Sequence, residues 1–188
     1  MEQKFNLAKT YIIENKQNVL NKFFEILEIQ SISSDPAHAQ DLIKCADWVS
    51  NYLLSIGIPN TKILNTQKHP VVFGEFTKYG KDKPTILVYG HYDVQPPDPL
   101  DLWETPPFIP TIKDNKIFAR GSSDMKGQMM VVLSAIQAIN ATSEIPVNIK
   151  FMIEGEEEIG SPSIKDFLTS NRELFASDFV LNLDAGML

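Results

Sequence analysis

Short apolar runs with strand character alternate along this chain with runs at helical spacing, and no other feature restricts the fold so much. The strand-like runs are Thr61 to Leu64, Val71 to Phe76, Thr85 to Gly90, Lys116 to Gly121, Val147 to Ile153 and Phe179 to Leu183. The opening stretch, to about Gln30, carries Val19, Leu20, Phe23, Phe24 and Leu27 on one helical face. Ser33-Ser34-Asp35-Pro36 reads as a turn and N-cap, and a second helix continues through Trp48 and Leu53 until Gly57 and Pro59 stop it. The segment GQMMVVLSAIQAI after Lys126 lacks strand alternation and is rich in helix formers, which predicts a buried helix. Ser161-Pro162 is expected to cap a further helix lasting to about Phe175, and Asp114-Asn115 a hairpin turn. Strands and helices in alternation imply an α/β fold, a mostly parallel sheet flanked by helices.

In an open α/β sheet, ligands bind beyond the carboxyl ends of the strands. Here Thr85–Gly90 is followed by His91-Tyr92-Asp93, and Lys116–Gly121 by Ser122-Ser123-Asp124. The run ending at Ile153 leads into Glu154-Gly155-Glu156-Glu157-Glu158, and Phe179–Leu183 into Asp184. Four runs therefore deliver His, Asp or Glu where a pocket belongs. One imidazole among several carboxylates suits zinc, with manganese or cobalt as substitutes. Asp93, two residues past His91, is placed to fix the imidazole tautomer.

Other chemistries find no support in the sequence. There is no GxSxG elbow, no P-loop and no GxGxxG. A formal charge of −7 without any basic cluster argues against nucleic acid as a partner. The N-terminus lacks the apolar stretch of a signal peptide and no run reaches membrane-spanning length, so a cytoplasmic protein without a membrane partner is expected. The single cysteine, Cys45, fits a reducing compartment and falls among Leu42, Ile43, Ala46 and Val49 as a buried, inert thiol. The proline-rich stretch PPDPLDLWETPPFIP, residues 96 to 110, reads as a stiffened loop bracing His91.

The motifs LVYGHYDVQP, ARGSSDMKGQ, IEGEEEIGS and LNLD, in this order and spacing, resemble the dinuclear zinc exopeptidase and deacylase family that includes carnosinase, peptidase V, glutamate carboxypeptidase, aminoacylase and succinyl-diaminopimelate desuccinylase. The resemblance runs from about Phe23 onward. It implies a zinc-exopeptidase-like catalytic domain with two zinc ions. His91 and Asp184 would hold one ion, Asp124 would bridge, and Glu158 would hold the other. Glu157 would be the general base, acting on a water between the metals, and Asp93 would orient His91. A non-proline cis peptide at Asp124-Met125 is also implied. The same pattern leaves Glu156 as a solvated charge.

The family's second zinc also needs a histidine far downstream, and its lid and dimerisation domain lies there too. On this resemblance residues 1–188 are the N-terminal part of the catalytic domain, expected to bind metal incompletely and to turn over little, whereas the full-length protein would be a homodimer. GHYDVQP followed by Trp103 and Pro107-Phe108 resembles the carnosinase-like dipeptidase branch. An N-acyl amino acid deacylase or desuccinylase with the same metal core is the alternative, and a non-catalytic binding domain a third.

Overall fold

The computed structural model describes residues 2–185. The opening helical stretch is two helices, α1 (Glu2–Glu14) and α2 (Lys16–Leu27), and α3 (Ala39–Ser55) follows a turn at Pro36–His38 capped by the Asp35 side chain. Five strands then make one sheet: β1 (Asn60–Leu64), β2 (Val71–Phe76), β3 (Thr85–His91), β6 (Asn148–Glu154) and β7 (Phe179–Asn182), in spatial order β1-β2-β6-β3-β7. Two short strands, β4 (Thr111–Lys113) and β5 (Lys116–Phe118), form a separate hairpin. The remaining helices are α4 (Lys126–Thr142) and α5 (Ile164–Ser170).

The expected α/β sheet is mixed. β3 pairs in parallel with β6 and β7, whereas β1–β2 and β2–β6 are antiparallel. The parallel half is the one whose carboxyl ends carry polar residues. Alternate residues divide each strand between two apolar layers. Val72, Val88, Ile149, Phe151 and Ile153 pack with α3 and α4 through Leu42, Val49, Met129 and Leu133. On the opposite face Val71, Phe73, Leu87 and Met152 meet Phe167 and Phe175. Burial of each such side chain contributes about 1.5–3 kcal/mol. Cys45 lies fully buried in the first layer, and burial pushes its thiol pKa up, as an inert thiol requires.

Three expectations are corrected. The run Lys116–Gly121 does not join the main sheet: its strand ends at Phe118, within a hairpin whose turn residues Asp114 and Asn115 both have positive φ. The helix expected from Ser161 to Phe175 is shorter, because Ser161 has φ +49° and cannot act as the cap, and Ser163 stands at that position instead. The proline-rich loop braces Arg120 rather than His91. Arg120 donates to Pro96 O at 3.0 Å, stacks over the Trp103 ring at 5.4 Å, and gives its backbone N–H to Pro107 O at 2.7 Å. Among the described residues no helix is long and apolar enough to cross a membrane.

Candidate metal centre

His91 is the last residue of β3, and its register partner on β6 is Glu154. The chain beyond it is fixed at once: Tyr92 N–H donates to Glu154 O at 2.8 Å, and Val94 N–H to Ser31 O at 2.9 Å. Underneath lies Met125, whose sulfur is 3.1 Å from the His91 backbone nitrogen and whose methyl would meet any side chain at Gly90. His91 and Asp93 are both inaccessible to solvent. The imidazole Nδ1 lies 3.0 Å from the Asp93 carbonyl oxygen, so in the neutral ring an Nδ1–H donated there makes Nε2 the nitrogen available to a metal.

The Asp93 carboxylate has a second duty that the sequence did not disclose. Its two oxygens accept the backbone N–H groups of Glu157 at 3.2 Å and Glu158 at 3.0 Å, at the start of the 3-10 turn Glu157–Ile159. One buried carboxylate thus ties the imidazole-bearing strand end to the turn that carries two glutamates. With no capping side chain of its own, the turn depends on this bond.

Asp124 arrives from the turn between β5 and α4, one residue before Met125 at the α4 N-cap position, across a cis Asp124-Met125 peptide bond. The implied cis bond is therefore present. Lys126 anchors this turn: it is fully buried, and its ammonium donates to Ile26 O at 3.0 Å, in the last turn of α2, and to Ile29 O at 2.8 Å, just beyond that helix. Asp124 Oδ1 lies 3.2 Å from His91 Nε2, and Glu157 Oε2 lies 3.7 Å from the same nitrogen. His91, Asp124 and Asp184 bring one ligand atom each to within 4.8 Å of one another. Glu158 stands outside that triad, its carboxylate taking a 2.9 Å bond from Gln95 Nε2, which also reaches the Glu158 carbonyl.

Electrostatics favour a cation here. Among the described residues, the basic group paired with these carboxylates is His91 itself. Burial works against its protonation, yet the hydrogen bond and charge of Asp93, with Glu157 behind them, push its pKa up to about 9. Burial raises the Glu158 carboxyl, the Gln95 hydrogen bond opposes that, and the negative charge of Asp124 adds to it. Carboxylates crowded around one imidazole hold a proton on it, and a divalent ion that displaces that proton relieves the same crowding. His91 Nε2 is buried and makes no well-aligned hydrogen bond, although carboxylate oxygens of Asp124 and Glu157 stand 3.2 and 3.7 Å from it, a donor set that suits a metal ligand.

The structure thus gathers His91, Asp93, Asp124, Glu157, Glu158 and Asp184 at one end of the parallel strands. The expectation for Glu156 fails. It is fully buried, its Oε1 accepting from Thr66 Oγ1 and from His69 N–H at 3.1 Å, and its Oε2 from Ser163 N–H at 3.0 Å. Gln95, Lys126 and Glu154 also bear on the site and were missed. Gln95 had a signal, four residues past His91 in the same motif; the other two depend on partners distant in sequence.

The family model "Peptidase family M20/M25/M40" matches residues 87–187. The human Beta-Ala-His dipeptidase is 39% identical over 170 residues, which cover 84% of this chain and 34% of that protein. The Cys-Gly metallodipeptidase of Schizosaccharomyces pombe is 32% identical over 188 residues, covering 92% of this chain and 39% of that protein. The crystal structure of human carnosine dipeptidase 1 superposes with a TM-score of 0.88 at 28% identity, covering 97% of this chain and 41% of that one. The chain spans between 34% and 39% of the length of these two curated relatives.

Proposed function

The chain belongs to peptidase family M20/M25/M40, and on that premise we propose that it builds the catalytic face of a metal-dependent hydrolase that cleaves the amide bond of dipeptides or short peptides. The observation that carries the reading is the buried Nε2 of His91, without an aligned hydrogen bond, set among the carboxylates of Asp124, Asp184 and Glu157. The donor set, one imidazole with carboxylates, fits zinc and tolerates manganese or cobalt. His91 and Asp184 would hold one ion, Asp124 would be shared, and Glu158 would hold a second. A divalent cation held there supplies Lewis acidity, lowering the pKa of water and polarising a carbonyl.

The remaining work falls to the chain. Asp93 fixes the tautomer of His91 through its carbonyl and the position of Glu157 through its carboxylate. Glu157, 35% exposed with Oε2 3.7 Å from His91 Nε2, takes a proton from the attacking water on that oxygen. The oxygen adds to the carbonyl carbon, the C–N bond breaks, and the same Oε2 returns the proton to the leaving amine. The human relative is named a Beta-Ala-His dipeptidase and the yeast relative a Cys-Gly metallodipeptidase, which favours a dipeptide over an acylated amino acid.

Glu157→Gln tests the base. Zinc affinity should stay within a few-fold while kcat falls by about 10²- to 10⁴-fold; a variant that turns over at the parent rate removes Glu157 from that role. Assay of the active enzyme on dipeptides against N-acetyl and N-succinyl amino acids, before and after chelator treatment, tests the rest. Preference for an acylated amino acid would favour the deacylase alternative.

A further inference from the structure

We propose that Glu156 is a positioning residue for this reaction, one that sets where Glu157 and Glu158 stand. The inference rests on the reading of those two glutamates as base and metal ligand. A carboxylate with no exposed surface is an expensive way to fill space, and a methionine or leucine would occupy the volume without desolvating a charge. What the carboxylate adds is direction. It collects donors from two segments remote from one another: the Thr66 hydroxyl and the His69 N–H from the β1–β2 connection, and the Ser163 N–H at the start of α5. Its own carbonyl accepts Ile159 N–H at 3.2 Å and Ser161 N–H at 2.8 Å, so the turn carrying Glu157 and Glu158 winds around it.

The β1–β2 connection is a firm anchor. The His69 ring lies 3.0 Å from Ser33 O, and the Tyr92 hydroxyl donates to Pro70 O at 2.7 Å, so the connection is fastened to the turn before α3 and to the segment between His91 and Asp93. Asp93 holds the N–H groups of the turn from one side, and Glu156 pins its first residue from the other. Glu156 stands at the N-cap position of the turn, so fixing its side chain fixes where Glu157 and Glu158 begin. Both are partly exposed, whereas Glu156 has no accessible surface.

Glu156→Gln in the full chain tests this. Whichever way the amide is flipped, its NH2 faces an N–H or O–H donor, so one anchor is lost while the volume is kept. Backbone amide exchange of Glu157, Glu158, Ile159 and Ser161 should accelerate on the order of tenfold while the core amides of Val88 and Phe151 keep their parent rates. Zinc affinity should fall on the order of tenfold to a hundredfold, and in the active enzyme kcat should fall with KM unchanged. Unchanged exchange in the turn, or an equal loss of protection throughout the chain, would overturn the proposal. If Glu156→Gln fails to fold, Thr66→Val removes a hydroxyl outside the turn that reaches Glu156 and also His69 O and Lys68 N–H, and should speed the same amides to a smaller degree; no change there also overturns it. Exchange is read without turnover, so failure of Glu157 as base and failure of Glu156 as anchor give different results.

Discussion

Glu154 ends β6 with 1% of its surface exposed, next to neither a lysine nor an arginine ion-pair partner among the described residues. The Tyr89 hydroxyl donates to its Oε1 at 2.7 Å. Burial pushes its carboxyl pKa above the ordinary value; the Tyr89 bond opposes this, and the charges of Asp93 and Glu156 reinforce it. Tyr89 is driven up in turn, first by burial and then by Glu154. A carboxyl with a folded-state pKa above its unfolded value holds its proton longer in the native state. Its contribution to stability is therefore complete below the unfolded pKa and is lost as pH rises through the folded one. Glu154→Gln removes the titration and keeps an acceptor for Tyr89. The stability advantage of the parent over this variant should shrink as pH rises from about 4, read from paired urea unfolding curves at several pH values. An advantage that is constant or grows with pH would contradict the buried, proton-retaining carboxyl.

At the scale of elements, the parallel core was legible because its strands are contiguous apolar runs and its long helices carry unbroken patterns. β3, β6, β7, α3 and α4 all fall where the periodicity placed them, and with them His91, Glu157, Glu158 and Asp184. The route to Asp124 was not legible. A three-residue strand such as β5 states its own pleat but not which sheet it joins, and here the deciding contacts are remote. Lys126 reaches carbonyls 97 and 100 residues away, and Met125 packs beneath Gly90. Glu156 was misread for the same reason, since an acidic cluster normally faces water, and the Thr66 hydroxyl and His69 backbone N–H that its carboxylate meets lie 90 and 87 residues away. The turn that delivers Asp124 makes a strict demand on α4. A Cβ at Gly127 would lie 2.1 Å from the Ser122 carbonyl oxygen, a backbone atom that cannot swing aside. Gly127→Ala gains up to about 1 kcal/mol of helix propensity and should still lose stability, by up to about 2 kcal/mol net, because overpacking costs roughly 1–3 kcal/mol. Zinc affinity should drop as well, because Ser122 and Asp124 share the displaced turn. Urea unfolding and a zinc titration check both, and a variant as stable as its parent would show that the turn yields freely.

Among the described residues, which span about a third of the length of the curated relatives, the two edges of the sheet differ. β1 at one edge places Lys62 on its exposed side, the kind of charge that discourages further pairing. β7 at the other edge has no charge in Phe179–Asn182; Phe179, Val180 and Leu181 are 63%, 65% and 46% exposed, and its outer backbone has no strand partner among the described residues. An open apolar edge is a template for another strand. The formal charge of −7 opposes contact between copies, but only over the Debye length, which falls from about 10 Å at 0.1 M salt to about 3 Å at 1 M. The two effects therefore separate with ionic strength. The 188-residue chain should associate in a concentration-dependent way, more strongly at 1 M than at 0.1 M salt, as followed by sedimentation velocity. Val180→Lys puts a cation on the exposed edge and should suppress the association, with Tm changed by no more than about the 2–4 °C that 1 kcal/mol is worth in a domain of this size. A variant that associates as strongly as its parent would move the contact elsewhere, and association that weakens with added salt would make it electrostatic rather than apolar.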